Sequence, residues 1–194
     1  MPRLGEMARK GFDDPGPVRF KSAGQPVTDT DRANEKEARR AILARWPETV
    51  ILGEETGLTE GRGATTWFID PLDGTLNFSR GIPVFTVSIG VALEGKIVAG
   101  HVLDPLRREH FHAYRGNGAR LGDRVIRVSD ASSLEEAALS MQTTSGGRYL
   151  RTEGFLLELH RRAQKTRKFG SIAMEMAWVA CGRLDLVIAG KGRP

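Results

Sequence analysis

An apolar stretch of the sequence ends in two aspartates that are separated by only two residues. An apolar run of this kind is typical of a buried strand, and the Gly-Thr pair after it is typical of a helix start. Carboxylate oxygens are the ligands that Mg²⁺ prefers, and backbone N–H groups at a helix start bind phosphate. The segment therefore predicts a site for a metal ion and a phosphate group. It reads Trp67-Phe68-Ile69-Asp70-Pro71-Leu72-Asp73-Gly74-Thr75.

Two further polar clusters stand where predicted elements begin or end. Glu54 and Glu55 follow a short apolar strand predicted over residues 49–53, and the polar loop from Lys21 to Asp31 leads into a helix. Ligand sites in open α/β sheets gather at the carboxyl ends of strands, so the glutamates and the aspartates are expected to meet. Carboxylates that converge without a cation repel one another, which favours a bound metal ion. Taken alone, the two glutamates also fit an ordinary acidic loop.

The elements that must position these residues predict a mixed α/β fold. Residues 84–93 alternate in polarity, as in a half-buried strand, and a hairpin at residues 94–95 follows. The pattern predicts a single domain over residues 1–194, with residues 1–20 as a poorly defined lead-in. The other predicted strands cover residues 65–69, 96–103, 110–115, 125–128, 137–141, 166–169 and 184–189, and the predicted helices cover residues 4–10, 31–46, 155–163 and 171–181.

The composition argues against several classes of protein. The 194 residues carry a net charge of +5, which is too small and too scattered to indicate binding to nucleic acid. A single cysteine excludes an internal disulfide framework and suits a reducing compartment. Neither a signal peptide nor a run of membrane-spanning length is found, so a cytoplasmic protein that does not bind membranes is expected.

Two other groups of residues are candidate sites. His110 and His112 share one face of a predicted strand and could bind a transition metal. No third ligand is evident beside them in the sequence, so ordinary packing or surface roles are favoured. Cys181 lies in an apolar helical run and is interpreted as a core residue rather than a nucleophile.

With these residues in view, the chain resembles the inositol monophosphatase family of Mg²⁺-dependent, lithium-sensitive phosphatases. The resemblance extends from about Lys21 to Pro194 and implies the layered αβαβα sandwich of that family and of fructose-1,6-bisphosphatase. The motif at residues 70–75 is highly specific in this spacing, and the later segments are supportive. The matching segments are Gly53-Glu54-Glu55, Asp70-Pro71-Leu72-Asp73-Gly74-Thr75 with Leu76-Asn77-Phe78, and residues 170–173 and 182–185.

The resemblance implies a set of metal ligands. Glu54 and Asp70 would bind a first Mg²⁺ together with the backbone carbonyl of Leu72, and this places Glu54 among the catalytic residues. Asp70 and Asp73 would bind a second Mg²⁺. Glu54 or Glu55 would help to bind a weaker third ion through water.

The resemblance also implies the residues that act on the substrate. Gly74 and Thr75, next to Asp73, would bind the phosphate oxygens. Thr75 and Asp31 would orient the attacking water, and Lys21 would lie in a mobile loop over the metal site. Phosphoryl transfer needs positioning and charge neutralisation, so no nucleophilic side chain is required.

The chain departs from the family pattern in two places. The family has a Trp-Asp pair beyond the position of Pro194, and its aspartate binds the second Mg²⁺. It also has an acidic substrate contact where Ala189 stands. The chain is therefore expected to be truncated at its C-terminus and to lack the last elements of the fold.

The function that the resemblance implies is Mg²⁺-dependent hydrolysis of a small phosphate monoester. Myo-inositol 1-phosphate is the leading substrate, and histidinol phosphate and fructose 1,6-bisphosphate are the alternatives on the same scaffold. The non-catalytic alternative is a truncated, inactive homologue with a binding role. The expected partner is a small phosphorylated polyol, and a homodimer is left open.

Overall fold

The computed structural model describes residues 1–21, 25–142, 153–163 and 165–189. The chain divides into two compact units, Met1–Val125 and Ile126–Pro194. The loop predicted to begin at Lys21 continues into residues 22–24, which lie outside the described residues.

The first unit is built on an eight-stranded sheet. The strands of the first unit, including two outside that sheet, are β1 (Arg19–Phe20), β2 (Pro26–Val27), β3 (Val50–Gly53), β4 (Gly57–Thr59), β5 (Thr65–Asp73), β6 (Thr86–Leu93), β7 (Lys96–Asp104), β8 (Glu109–Tyr114), β9 (Gly118–Leu121) and β10 (Arg124–Val125). β1 and β2 form a separate ribbon, and the order in the large sheet is β10-β9-β8-β7-β6-β5-β3-β4. Neighbouring strands are antiparallel except for β3 and β5, which are parallel. The carboxyl ends of β3 and β5 therefore point in the same direction.

The helices of the first unit are α1 (Pro2–Asp13), α2 (Asp29–Arg45) and α3 (Thr75–Ser79). α2 begins with a capping box, in which the Asp31 N–H donates to the Thr28 hydroxyl and the Thr28 N–H donates to the Asp31 carboxylate. α1 and α2 pack against each other and against the sheet. The shared core consists of Leu4, Ala8, Ala38, Ile42, Ile51, Ile69, Leu72, Phe78, Phe85, Val87 and Ile89.

The second unit contains a small parallel sheet and two helices. Its elements are β11 (Ala138–Gln142), α4 (Glu153–Arg162), β12 (Lys165–Arg167), α5 (Ile172–Ala180) and β13 (Leu186–Ala189), with the strands in the order β12-β11-β13. Its core contains Ala137, Leu139, Leu159 and Ala163. Across the described parts of both units, no helix combines the length and the apolar character needed to cross a lipid bilayer.

Most predicted elements are present, and the differences have local causes. α1 continues to Asp13 rather than ending near residue 10, because Phe12 packs against Phe78 and Phe85. The ring centroid of Phe12 lies 5.7 Å from that of Phe78 and 4.9 Å from that of Phe85. The strand predicted over residues 125–128 is present only as the short β10. The short strands β1, β2, β4 and β9 were not predicted, since two to four residues carry too little periodicity.

Candidate active site

One face of α2 carries the buried polar residues that organise the site. Asp31, Asn34 and Glu35 are each at most 1% exposed. They share a face because they are three and four residues apart on a helix. Asn34 Nδ2 donates to the Pro71 carbonyl at 3.2 Å and so holds the segment between the two motif aspartates. Asn34 and Glu35 are not among the residues predicted from the sequence, although their spacing from Asp31 is a signal that could have found them.

Glu35 holds the loop that carries Glu54 and Glu55. Its carboxylate accepts the Glu55 N–H at 2.6 Å, the Thr56 N–H at 3.1 Å and the Arg39 Nε–H at 3.0 Å. Burial alone would raise the pKa of Glu35, but the hydrogen bonds from Thr56, Glu55 and Arg39 lower it. Glu35 is therefore an ionised, fully paired carboxylate that positions the loop.

β3 and β5 deliver their acidic residues side by side. Gly53 pairs with Ile69 in the parallel register, and the Glu54 N–H donates to the Ile69 carbonyl at 3.1 Å. Glu54 and Asp70 thus each follow directly after one member of the paired residues Gly53 and Ile69. A Cβ on Gly53 would lie 2.3 Å from the Glu35 carboxylate, so a side chain at this position would displace Glu35.

Lys21 forms ion pairs with both glutamates. Its Nζ lies 3.4 Å from Glu54 Oε1 and makes a closer contact with Glu55. Burial alone would lower the pKa of Lys21, but Glu55 and Glu54 together raise it. Burial raises the pKa of Glu55, and Lys21 offsets part of this effect. The structure thus brings Lys21 to the acidic loop.

Asp70 lies among other carboxylates. Burial raises the pKa of Asp70 well above its usual value, and the charges of Asp73 and Glu54 raise it further. The Leu72 N–H, which donates to Asp70 Oδ1 at 3.1 Å, opposes this in part. Concentrated negative charge of this kind favours a bound cation or a proton.

Thr75 connects the second motif to α2. Its Oγ1 lies 3.0 Å from Asp31 Oδ1 and 2.9 Å from the Leu72 carbonyl oxygen. A hydroxyl has one proton, so Thr75 donates to one of these acceptors at a time. Burial raises the pKa of Asp31, while hydrogen bonds from Thr28 lower it. Gly74, which precedes Thr75, has a φ of +97°, a conformation that favours glycine.

The donor atoms in this region fit a divalent metal ion. Carboxylate and carbonyl oxygens are the ligands that Mg²⁺ prefers, and a cation would relieve the repulsion at Asp70. Within the described ranges, no three His, Cys, Asp or Glu side chains form a ready-made ligand cluster. The structure therefore brings Glu54, Asp70 and Asp73 into electrostatic contact, and all of the predicted site residues lie in the first unit.

Replacing Glu35 with alanine should destabilise the folded chain by about 3 kcal/mol, because it leaves the Arg39 Nε–H and two loop N–H groups without their acceptor. Urea unfolding in EDTA measures this change. The control is Glu6→Ala, which removes an exposed ion pair to Lys10 and should cost less than about 1 kcal/mol. Equal effects of the two changes would show that Glu35 does not hold the loop.

Comparisons with known proteins agree with the fold and the motif. The profile of the Inositol monophosphatase family matches residues 3–193. Inositol monophosphatase 1 of Solanum lycopersicum is 36% identical over 201 residues, which cover 99% of this chain and 73% of that protein. Nus factor SuhB of Pasteurella multocida is 34% identical over 192 residues, which cover 94% of this chain and 70% of that protein.

A solved structure shows the same fold. The extragenic suppressor protein suhB from Bartonella henselae matches with a TM-score of 0.87 and 32% identity, over 94% of this chain and 72% of that one. This match confirms the predicted α/β fold class. The chain thus spans about 70% of the length of these proteins. Its motifs, its fold and its matched range together show that the chain belongs to the inositol monophosphatase family.

Proposed function

We propose that the chain hydrolyses a small phosphate monoester in a Mg²⁺-dependent reaction. The observation that carries the proposal is the cluster of three carboxylates, those of Asp70, Asp73 and Glu54, beside the hydrogen-bonded pair of Thr75 and Asp31. Membership of the inositol monophosphatase family supports the class of reaction, because it is a family of phosphatases.

The proposed metal ligands are those that the family resemblance implies, and their oxygen donors suit Mg²⁺. Glu54, Asp70 and the Leu72 carbonyl would hold one Mg²⁺, Asp70 and Asp73 would hold a second, and Glu54 or Glu55 would support a weaker third through water. When bound, the ions would neutralise phosphate charge, lower the pKa of the attacking water and stabilise the leaving oxygen.

The Thr75–Asp31 pair is suited to accept the proton of the attacking water. Asp31 Oδ2 accepts hydrogen bonds from the Thr28 N–H and hydroxyl at 2.8 and 2.5 Å, which leaves Oδ1 directed to Thr75. When Thr75 donates to Asp31 Oδ1, its lone pairs are available to accept the water O–H. The Leu72 carbonyl is then released from Thr75, so its oxygen is available as a ligand.

The start of α3 would bind the phosphate group. Gly74 and Thr75, next to Asp73, would direct backbone N–H groups to the phosphate oxygens. α3 has only five residues, so individual hydrogen bonds rather than a large helix dipole would hold the anion. Lys21, which pairs with Glu54 and Glu55, would cover the metal site from the neighbouring loop.

Myo-inositol 1-phosphate is the proposed substrate, with histidinol phosphate and fructose 1,6-bisphosphate as alternatives. Relatives named inositol monophosphatase support the first choice. A binding role without catalysis is the second candidate function, because other relatives at similar identity are named Nus factor SuhB.

Phosphate release from the three substrates, with Mg²⁺ or with EDTA, tests the proposal. Release from myo-inositol 1-phosphate should require Mg²⁺, and Asp73→Asn should lower it at least about 100-fold, because the second ion loses a ligand. Asp123→Asn, a change at an exposed turn, is the matched control. Release that survives Asp73→Asn would contradict the metal role, and no release from a folded, monodisperse sample would favour the binding role.

A further inference from the structure

Three histidines meet on one face of the large sheet, away from the carboxylate motif in sequence. His101 on β7 lies directly opposite His112 on β8, and His110 is two residues before His112. Side chains two residues apart on a strand share a face. The ring centroids are 5.2 Å apart for His101 and His110, 5.9 Å for His101 and His112, and 5.0 Å for His110 and His112. The sequence shows no third histidine beside His110 and His112, and strand pairing is what brings His101 next to them.

The polar atoms of this histidine cluster are incompletely satisfied. His101 Nδ1 and His110 Nε2 share a hydrogen bond of 3.0 Å. Within the described part of the chain, the buried His112 Nδ1 has no hydrogen-bond partner. A buried ring nitrogen without a partner costs free energy, so it calls for a physical explanation. A bound metal ion would supply one.

The pKa values of two members of the histidine cluster, His110 and His101, favour the neutral ring. Burial, together with the charges of His101, His112 and the Met1 amino group, lowers the pKa of His110 to about 4. The pKa of His101 is lowered as well, chiefly by burial. Neutral imidazole is the form that binds transition metals, so competition from protons is weak near neutral pH.

Two cavities are each lined by one member of the histidine cluster. His101 lines a cavity of about 470 Å³ together with Trp67 and Glu37. His110 lines a second cavity of about 410 Å³, together with Glu6. Two arginines and one glutamate line each cavity, so basic side chains outnumber acidic ones around His101 and His110.

We propose that His101, His110 and His112 bind one transition-metal ion of the Zn²⁺, Ni²⁺ or Cu²⁺ type. Imidazole nitrogen suits these metals, whereas the oxygen ligands around Asp70 suit Mg²⁺, so the two sites differ in ligand chemistry. Three histidines occupy three positions around such an ion and leave a further position for water or a small ligand.

Binding requires the rings to turn. His101 stacks on His110 and His112 with interplanar angles of 20° and 16°, so the ring nitrogens do not yet point to one centre. This agrees with the finding that the described residues hold no ready-made ligand cluster. Rotation breaks the hydrogen bond between His101 and His110, and the metal replaces it as the partner of both nitrogens.

Calorimetric titration of tag-free protein with Zn²⁺ tests the proposal, in excess Mg²⁺ to occupy the proposed carboxylate sites and with Co²⁺ as a spectroscopic probe of nitrogen ligands. We expect one Zn²⁺ per chain, and about 10- to 100-fold weaker binding in His112→Ala and His110→Ala. His160→Ala, which changes the remaining histidine of the chain, and Asp73→Asn should bind as the unchanged protein does.

Thermal unfolding with and without Zn²⁺ distinguishes lost binding from lost folding. Metal that binds the folded state should raise the melting temperature of the unchanged protein and of His160→Ala, but not that of His112→Ala. His112→Gln serves as a second variant if the alanine variant does not fold. Absence of Zn²⁺ binding, or binding that Asp73→Asn removes and the cluster variants retain, would overturn the proposal.

Discussion

Replacing Asp70 with asparagine should lower kcat/KM for myo-inositol 1-phosphate by about 10³-fold, because the proposed ligand common to both metal ions is lost and with it several kcal/mol of transition-state stabilisation. The asparagine keeps an oxygen for the Leu72 N–H, which donates to Asp70 Oδ1 in the structure. The loop geometry should therefore persist. Steady-state phosphate release over a range of Mg²⁺ concentrations measures the effect.

The same substitution should stabilise the metal-free protein at neutral pH. The pKa of Asp70 is raised well above 3.8 in the folded state by burial and by Asp73 and Glu54. The folded state therefore binds this proton more tightly than the unfolded state, and folding stability decreases as the pH rises through the raised pKa. An asparagine side chain carries no such charge, so the penalty disappears in Asp70→Asn. In the unchanged protein, added Mg²⁺ should remove the free-energy cost of the buried Asp70 charge by neutralising it.

Urea unfolding in EDTA, followed from pH 4 to pH 8, tests this second effect. The histidines act in the opposite direction, because the pKa of His110 falls from 6.5 to about 4 on folding and stability is lost as the pH falls through this range. The difference between the unchanged protein and Asp70→Asn isolates the aspartate. If Asp70→Asn lost activity and also unfolded more readily in EDTA, the role of Asp70 would be structural.

Replacing Thr75 with alanine should lower kcat by about 10²- to 10³-fold, in the range expected for the loss of a proton-transfer group. The hydroxyl is the atom that connects Asp31 Oδ1 with the proposed water, and alanine has no replacement for it. KM should change little, since the phosphate contacts proposed for this segment come from backbone N–H groups. Measuring kcat and KM separately distinguishes these effects.

Thr75→Ser is the matched control for this prediction. Serine retains the hydroxyl and should keep most of the activity, although it lacks the methyl group that restricts the threonine rotamer. A serine variant as inactive as the alanine variant would show that packing, rather than the hydroxyl, matters at this position. Full activity in Thr75→Ala would exclude Thr75 from the proton path.

The strand and helix boundaries near the motif were largely predictable. α2 begins two residues before the predicted start, and the strand predicted over residues 65–69 continues to Asp73. The continuation pairs Asp73 with Thr86 on β6 after an irregularity in the register. Pairing of this kind depends on a neighbouring strand, so the Asp-Pro sequence alone indicated a turn.

The supporting residues were not predictable from local pattern. Glu35 and Arg39 are an ordinary charged pair four residues apart on a helix, and such pairs are usually exposed. In the structure Glu35 is fully buried and accepts hydrogen bonds from the loop after β3. His101 was missed for a similar reason, because its position opposite His112 follows only from the pairing of β7 and β8.

The donor types of the candidate site and their local spacing can be predicted from the amino-acid sequence. Asp70, Leu72, Asp73 and Thr75 lie within six consecutive residues, so the strand, turn and helix start that present them depend on near neighbours. The distant residues that meet this segment cannot be predicted in this way, because they depend on the folded arrangement of the chain. Asp31 reaches Thr75 across 44 positions, and Glu54 reaches the end of β5 through the parallel β3–β5 pair. These contacts depend on the burial of α2 and on strand pairing, which are properties of the whole core rather than of any short segment.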